Sequence, residues 1–392
     1  MSAEIEGVEI VDAGPATPVD VPGAGAWRIS AGGLRTVIGL ELSQRVRSRR
    51  WLIVLGLWFC LVGGLTVLVR WAVSAATTVV ASPGEEAAVV PSPFGRVTFA
   101  VIVFMVLSLG GLIAPALSAT SINGDRLGGV LAVLQTTLLS PAEIVLGKLV
   151  AAWSIALALL AVASPFLLWA IADGGTSLVR VLTTLALLAL TLLVVCAIGL
   201  GWSALTARTA TSAVLTYLTV AALGLGLPAL FALTLPAVSR TEQVRVTEYA
   251  PPAASVDPDD VTGPDVEQTC TTTVRQMRRA HTELNWWILA PSPYVVVADA
   301  APRPDPRDSS AGDDPLTLIG QAVRLARLGP SETEDWCGDG EGDERLDEAE
   351  GLAPAWPWGL AADLALGGVF VVAAVRRLRA PMRRLPSGVR VA

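Results

Sequence analysis

The chain holds 392 residues with a net charge of -7, 53% hydrophobic and 16% charged residues, and a mean hydropathy of +0.58. So small a charged fraction excludes a single soluble domain of this length, which would need a far more polar surface. No basic face for nucleic acid is present, and one histidine leaves little scope for a histidine-based metal or catalytic centre.

The opening residues, MSAEIEGVEIVDAGPATPVDVPGAG, are acidic and rich in Pro and Gly. They lack the basic-then-apolar start of a cleavable signal, and residues 1–33 are expected to form a disordered tail. In LRTVIGLELSQRVRSRR (34–50), Leu34, Val37, Ile38, Glu41, Leu42 and Val46 recur at helical spacing. That stripe, with its terminal arginines, suits a helix lying in the membrane interface. A plain basic flank of the first span is the alternative.

Windows of more than ~20 uncharged residues are long enough to cross a hydrocarbon core. Several such windows, with neighbouring stretches nearly as apolar, predict six spans at 51–72, 97–120, 149–172, 179–205, 211–237 and 356–376, of which the third, fourth and fifth carry no charge in their interiors. The fold class is therefore an all-α membrane protein, with the interfacial helix and five spans in 34–237. A long loop (238–355), a sixth span and a basic tail (377–392) follow.

Arginines crowd the two ends of the chain: Arg35, Arg45, Arg47, Arg49 and Arg50 before the first span, and Arg376, Arg377, Arg379, Arg383 and Arg384 at the last. The positive-inside rule then puts both termini in the cytoplasm, which an even span count permits. The loop 238–355 becomes extracytoplasmic. It is acidic, residues 239–354 holding 23 of the 35 acidic side chains.

On this topology, SINGDRLGGVLAVLQTTLLSPAEIVLGK (121–148) is cytoplasmic and joins the second and third spans. Ile122, Leu127, Val130, Leu131, Leu134 and Leu138 predict one apolar helical face, with Asp125 near the helix start. Ser140-Pro141 then breaks the helix, Glu143 opens a second one, and the third span begins near Gly147-Lys148. Lys148 is the only lysine of the chain.

The run D-R-L-G-G-V-L-x-x-L…S-P-A-E-I-V-L-G-K resembles the ABC-2 family of transporter permeases. Asp125-Arg126 match that family's acidic–Arg pair, Gly129 and Leu131 its Gly and Leu, and Gly147-Lys148 its closing pair. Val130 stands where Thr is common, Ala132 where Glu is common and Leu138 at a frequent Pro position. The resemblance implies a permease subunit of an exporter in the cell membrane, working as two permease chains with a separate ATPase subunit. Asp125, Arg126, Gly129, Leu131, Leu134, Glu143, Gly147 and Lys148 would then couple to the ATPase; ordinary water-facing flanks are the alternative reading. ATP and Mg would bind the partner. This chain has no G-x-x-x-x-G-K-[ST] loop, because Leu149 follows Lys148, and no cofactor of its own is expected.

Within the long loop, 248–268 and 301–314 read as irregular, and 285–300 as apolar enough to re-enter or pack on the membrane. Residues 315–329 read as an interfacial helix with Arg324 and Arg327 opposite its apolar face. An oxidising exterior permits a disulfide between Cys270 and Cys337. Asp363 lies about two turns inside the last span. It is either a functional group or a carboxylate that faces extracytoplasmic water or pairs with Arg180 or Arg70. A non-transporting membrane anchor or signalling subunit is the alternative function. An intramembrane enzyme would need a nucleophile–base pair or metal cluster in the spans, which the sequence does not offer.

Overall fold

The computed structural model describes residues 26–46, 49–80, 94–130, 139–173, 177–249, 270–301, 315–331, 333–337 and 341–378. Among them, six helices are long and apolar enough to cross a membrane: Trp51–Ala75, Gly95–Leu127, Pro141–Ala172, Leu178–Leu205, Thr209–Val238 and Trp356–Leu378. The fold is mostly helical, as the apolar windows predict. The first two spans belong to α2 (Arg49–Val80) and α3 (Phe94–Ser118), with α1 (Ala31–Val46) ahead of them and α4 (Ser121–Leu127) closing the second.

The third span is α5 (Pro141–Ala172), and the fourth is α6 (Leu178–Leu205). Helix α6 is the most deeply buried span, and the first and fifth are the least. Small residues let neighbours approach it: Ser118 of α3 packs on Gly199, and Phe370 of the last span packs on Gly201. The outlying α2 is held by Trp58, whose indole N–H donates to the Leu159 carbonyl of α5 at 2.9 Å. Arg70 at its far end pairs with Asp173 and lies over the Trp169 ring.

The fifth span is not one regular helix. It comprises α7 (Thr209–Ala221), a π-helical turn (Ala222–Gly226) and α8 (Leu227–Val238). The widened turn sits just before Pro228, whose missing N–H cannot serve an α-helical ladder.

The chain leaves α8 directly into a strand. Strands β1 (Ser239–Tyr249) and β2 (Cys270–Ala280) pair antiparallel along their whole length, and β3 (Thr333–Asp335) adds parallel to β1. This small sheet, in order β2-β1-β3, was not foreseen for the loop before the last span. In β1, Val244 and Val246 are buried while Arg245 between them is exposed, the alternation of a half-covered strand.

Between β2 and the last span, α12 (Trp356–Leu378), the chain forms α9 (Pro293–Ala300), α10 (Pro315–Leu328) and α11 (Glu341–Gly351). Helix α9 packs on α10 and on α12. Asp299 of α9 is buried. One carboxylate oxygen accepts from Arg324 Nε at 2.7 Å, and the other accepts from the Ala355 and Trp356 N–H groups at 2.6 and 2.9 Å. Arg324 is thus inward and ion-paired, not on a polar face opposite the apolar one. The reason is that a buried carboxylate on α9 supplies its partner.

Candidate functional site

The six spans leave two ends. One carries the sheet; the other carries the arginines at the start of α2 and the end of α12, together with α1 and α4. At the arginine-rich end, three elements distant in sequence meet at Lys148. Its ammonium pairs with Asp125 Oδ2 of α4 at 2.5 Å and with Glu41 of α1. The Lys148 side chain is 1% exposed. One cation therefore joins the interfacial-type helix, the short helix after the second span and the third span. Two carboxylates around a single desolvated ammonium make removal of that ammonium costly, because the acids would be left to repel each other.

A second junction lies two turns earlier on α5. Ser140 and Glu143 form a capping box: Glu143 N–H donates to Ser140 Oγ at 3.1 Å, and Ser140 N–H donates to Glu143 Oε2 at 2.7 Å. The remaining Glu143 oxygen accepts from Ser30 N–H at 2.7 Å. Ala142 N–H donates to the Ala26 carbonyl at 3.1 Å, and the Ser140 hydroxyl donates to that of Arg28. The chain before α1 is thereby tied to the third span. Close approach of α1 and α5 needs glycine. A Cβ on Gly147 would stand 2.6 Å from Val37, and one on Gly33 would stand 2.8 Å from the Glu143 carboxyl.

Helix α4 is seated on α6. Its Thr120 start offers no side-chain cap. Instead Ser203 Oγ of α6 accepts from the Ile122 and Asn123 N–H groups at 3.0 and 3.1 Å. Ser212 Oγ of α7 donates to the Ala119 carbonyl at 2.7 Å. The turn into α4 is thus held by the fourth and fifth spans.

The helix expected over 122–138 is interrupted at Gly128-Gly129, and residues 131–138 lie outside the described residues. Helix α4 ends at Leu127, and Gly129 takes φ 71°, a left-handed conformation that stops a helix and favours glycine. The second expected helix and the third span are instead one helix from Pro141, ~48 Å long at 1.5 Å per residue, so its first turns project beyond a hydrocarbon core.

The residues singled out in sequence divide accordingly. Asp125 and Lys148 are brought together; Glu143 and Gly147 hold the start of the third span against α1. Arg126 is half-buried and close enough to Arg377 of α12 for like-charge repulsion. Leu131 and Leu134 lie outside the described residues. Two large apolar side chains are exposed here: Leu127 is 69% exposed and Val130 43%. Sequence reasoning missed Glu41, Ser30 and Ser203 as partners. A signal for Glu41 existed, since it is the only acid between residues 26 and 50, as Lys148 is the only lysine.

Asp363 of α12 lies between Gly359, packed on Ala290 and Val296, and Gly367, packed on Val194 and Ala197. It is buried, and its Oδ1 accepts no hydrogen bond among the described residues. Arg70 pairs instead with Asp173, and Arg180 donates to Thr317 Oγ1.

A family model described as ABC-2 family transporter protein matches residues 35–258, more than half of the chain and including the whole junction around Lys148. No curated protein matches the chain.

Proposed function

The chain belongs to the ABC-2 transporter family, and on that premise we propose that it is the permease subunit of an exporter driven by a separate ATPase subunit. Two permease chains, identical or related, form the path through the cell membrane. The arginine-rich end faces the cytoplasm, in keeping with the positive-inside rule, so both termini lie there and the sheet lies outside.

An ATPase moves a membrane helix only by pushing on something rigidly joined to it. The observation that carries the reading is the Asp125–Lys148–Glu41 junction, which ties α1 and α4 to the third span through one buried cation. Asp125 and Lys148 act inside this junction and do not themselves touch the ATPase. The docking surface is the exposed apolar rim beside it, Leu127 to Val130, with Arg126 at its edge.

Two variants separate docking from transmission. Leu127→Glu places a charge on the docking rim and is expected to cut ATPase co-purification at least ~10-fold at normal membrane abundance. Lys148→Met leaves Glu41 and Asp125 facing each other and is expected to abolish export while some ATPase still binds. If Leu127→Glu binds the ATPase and exports like the parent, the docking surface lies elsewhere.

A further inference from the structure

The segment between the last two spans is divided by charge. Strands β1 and β2 hold five of the ten arginines in residues 239–354 but only two of its 23 acids, Glu242 and Glu248. Residues 331–350, which run through β3 and into α11, hold ten acids and one arginine. One chain therefore carries a basic hairpin and an acidic stretch on the same side of the membrane.

Alternation along the strands sorts the hairpin charges further. Both acids fall on the face that carries the buried Val244 and Val246. On that face Arg275 pairs with Glu248 at 2.5 Å, and Arg279 pairs with Glu334. The opposite face presents Thr241, Gln243, Arg245, Val274, Gln276 and Arg278, all exposed, and no acid. Arg278 reaches only the Pro236 carbonyl, at 3.2 Å, and neither it nor Arg245 makes an ion pair among the described residues. The arginines of the covered face are thus matched by acids of their own chain, and those of the open face are not.

Helix α11 offers the complement. Asp347 and Glu348 are exposed there, and neither makes an ion pair among the described residues. The hairpin also stands where a neighbour can reach it: β1 follows α8 without a linker, and the fifth span is the least buried of the six. Two copies in one membrane hold these parts at the same height. A twofold contact sets one patch of each copy against a different patch of the other, twice over. A basic face and an acidic helix on one chain are self-complementary in that arrangement, whereas two like faces would repel.

We propose that the acid-free face of the β1–β2 hairpin docks on α11 of a second copy of this chain, with Arg245 and Arg278 of each copy meeting Asp347 and Glu348 of the other. The proposal rests on the two-chain reading above, gives it a surface outside the membrane, and makes the two chains identical. Exposed ion pairs are individually weak, so the contact selects the chain that is met and its orientation more than it adds affinity.

The test uses two full-length copies with different tags, both Cys60→Ser, one carrying Gln243→Cys and the other Gly351→Cys, co-expressed and reconstituted in lipid nanodiscs. A Cβ at Gly351 meets nothing within 4 Å, so that cysteine is accommodated. A water-soluble bis-maleimide is expected to join the two tags. The yield should fall about three- to tenfold when both copies bear Arg245→Glu and Arg278→Glu, and likewise when both bear Asp347→Lys and Glu348→Lys. All four reversals together should restore most of it, which a misfolded hairpin could not do. Cross-linking that is indifferent to every reversal overturns the proposal. So does a yield that falls with the arginine reversals and is not restored by the four together, which assigns the arginines to a different acidic partner. Tags that co-purify before cross-linking keep the two-chain reading in either case; tags that do not co-purify overturn that reading and the proposal with it.

Discussion

The two ends of the helical bundle are both closed by short elements, yet they are fastened in different ways. At the sheet end, an eleven-residue antiparallel ladder joins β1 to β2, the Cys270–Cys337 disulfide ties β2 to the chain just after β3, and the buried Asp299 joins α9 to α10 through Arg324 and to the start of α12 through Ala355 and Trp356. At the arginine-rich end, α1 and α4 are held by a lysine shared between two acids, a capping box and serine hydroxyls. The first kind of fastening resists local opening, because many backbone bonds and a covalent link must give way together. The second depends on a few side chains, at Lys148, at the start of α5 and at the turn into α4. On the proposed coupling role, the first construction suits a part that stays in place and the second a part that transmits a push.

The sharpest way to break this comparison is to remove the anchor of each end. Asp299→Ala leaves the Arg324 guanidinium buried without its partner and strips the cap from the last span. The expected loss is ~3–5 kcal/mol of stability, read as a marked drop in thermal melting of the detergent-solubilised protein. Glu41→Gln at the other end is expected to free α1 to proteolysis while the melting of the spans is little changed. Equal melting losses from the two variants would erase the distinction.

A smaller effect is expected from the disulfide. Cys270 and Cys337 close a stretch of 67 residues, and their Cα atoms stand 6.2 Å apart. Cys270→Ser or Cys337→Ser is expected to cost ~2–4 kcal/mol in the sheet layer. Each should shift non-reducing gel mobility as reduction does. Two free thiols in the unreduced protein by mass spectrometry would remove the covalent part of the comparison.

How legible each end was follows the same physics. The spans announce themselves because twenty apolar residues have few other uses, and the arginines mark one end. Asp125, Glu143 and Lys148 drew attention as rare charges between apolar runs. Their pairing was hidden, since it depends on α1 folding back onto a residue 107 positions away. The helical stripe through Leu131 and Leu134 misled at Gly129, where periodicity continues across a residue whose positive φ ends the helix. The sheet was missed because Val244 and Val246 give only two buried positions within a highly charged strand, and β3 is three residues long. Arg324 looked solvent-facing because one helix considered alone cannot reveal Asp299 on another.

The smallest expected effect is a pH response confined to the sheet end. His281, the only histidine, sets Nδ1 2.8 Å from Glu283 Oε1 and Nε2 2.8 Å from Glu242 Oε1 on β1. Hydrogen bonding to Glu283 first, and then to Glu242, holds the imidazolium above its ordinary range. A group raised on folding stabilises the folded form fully below its unfolded value, ~6.5. That contribution is lost as pH rises through the folded value, when the ring gives up its proton and one carboxylate loses a charged partner. Amide hydrogen exchange of β1 and β2, corrected for intrinsic rates, should therefore lose a few-fold of protection between about pH 6 and pH 9. The loss should shrink at high salt, because both glutamates are partly exposed. His281→Gln should begin with the weaker protection and show little further change. Amides of α1 and α4 should not follow, since no imidazole stands among them. If the glutamine variant loses protection over the same pH range as the parent, another group governs the sheet end and this difference between the two ends disappears.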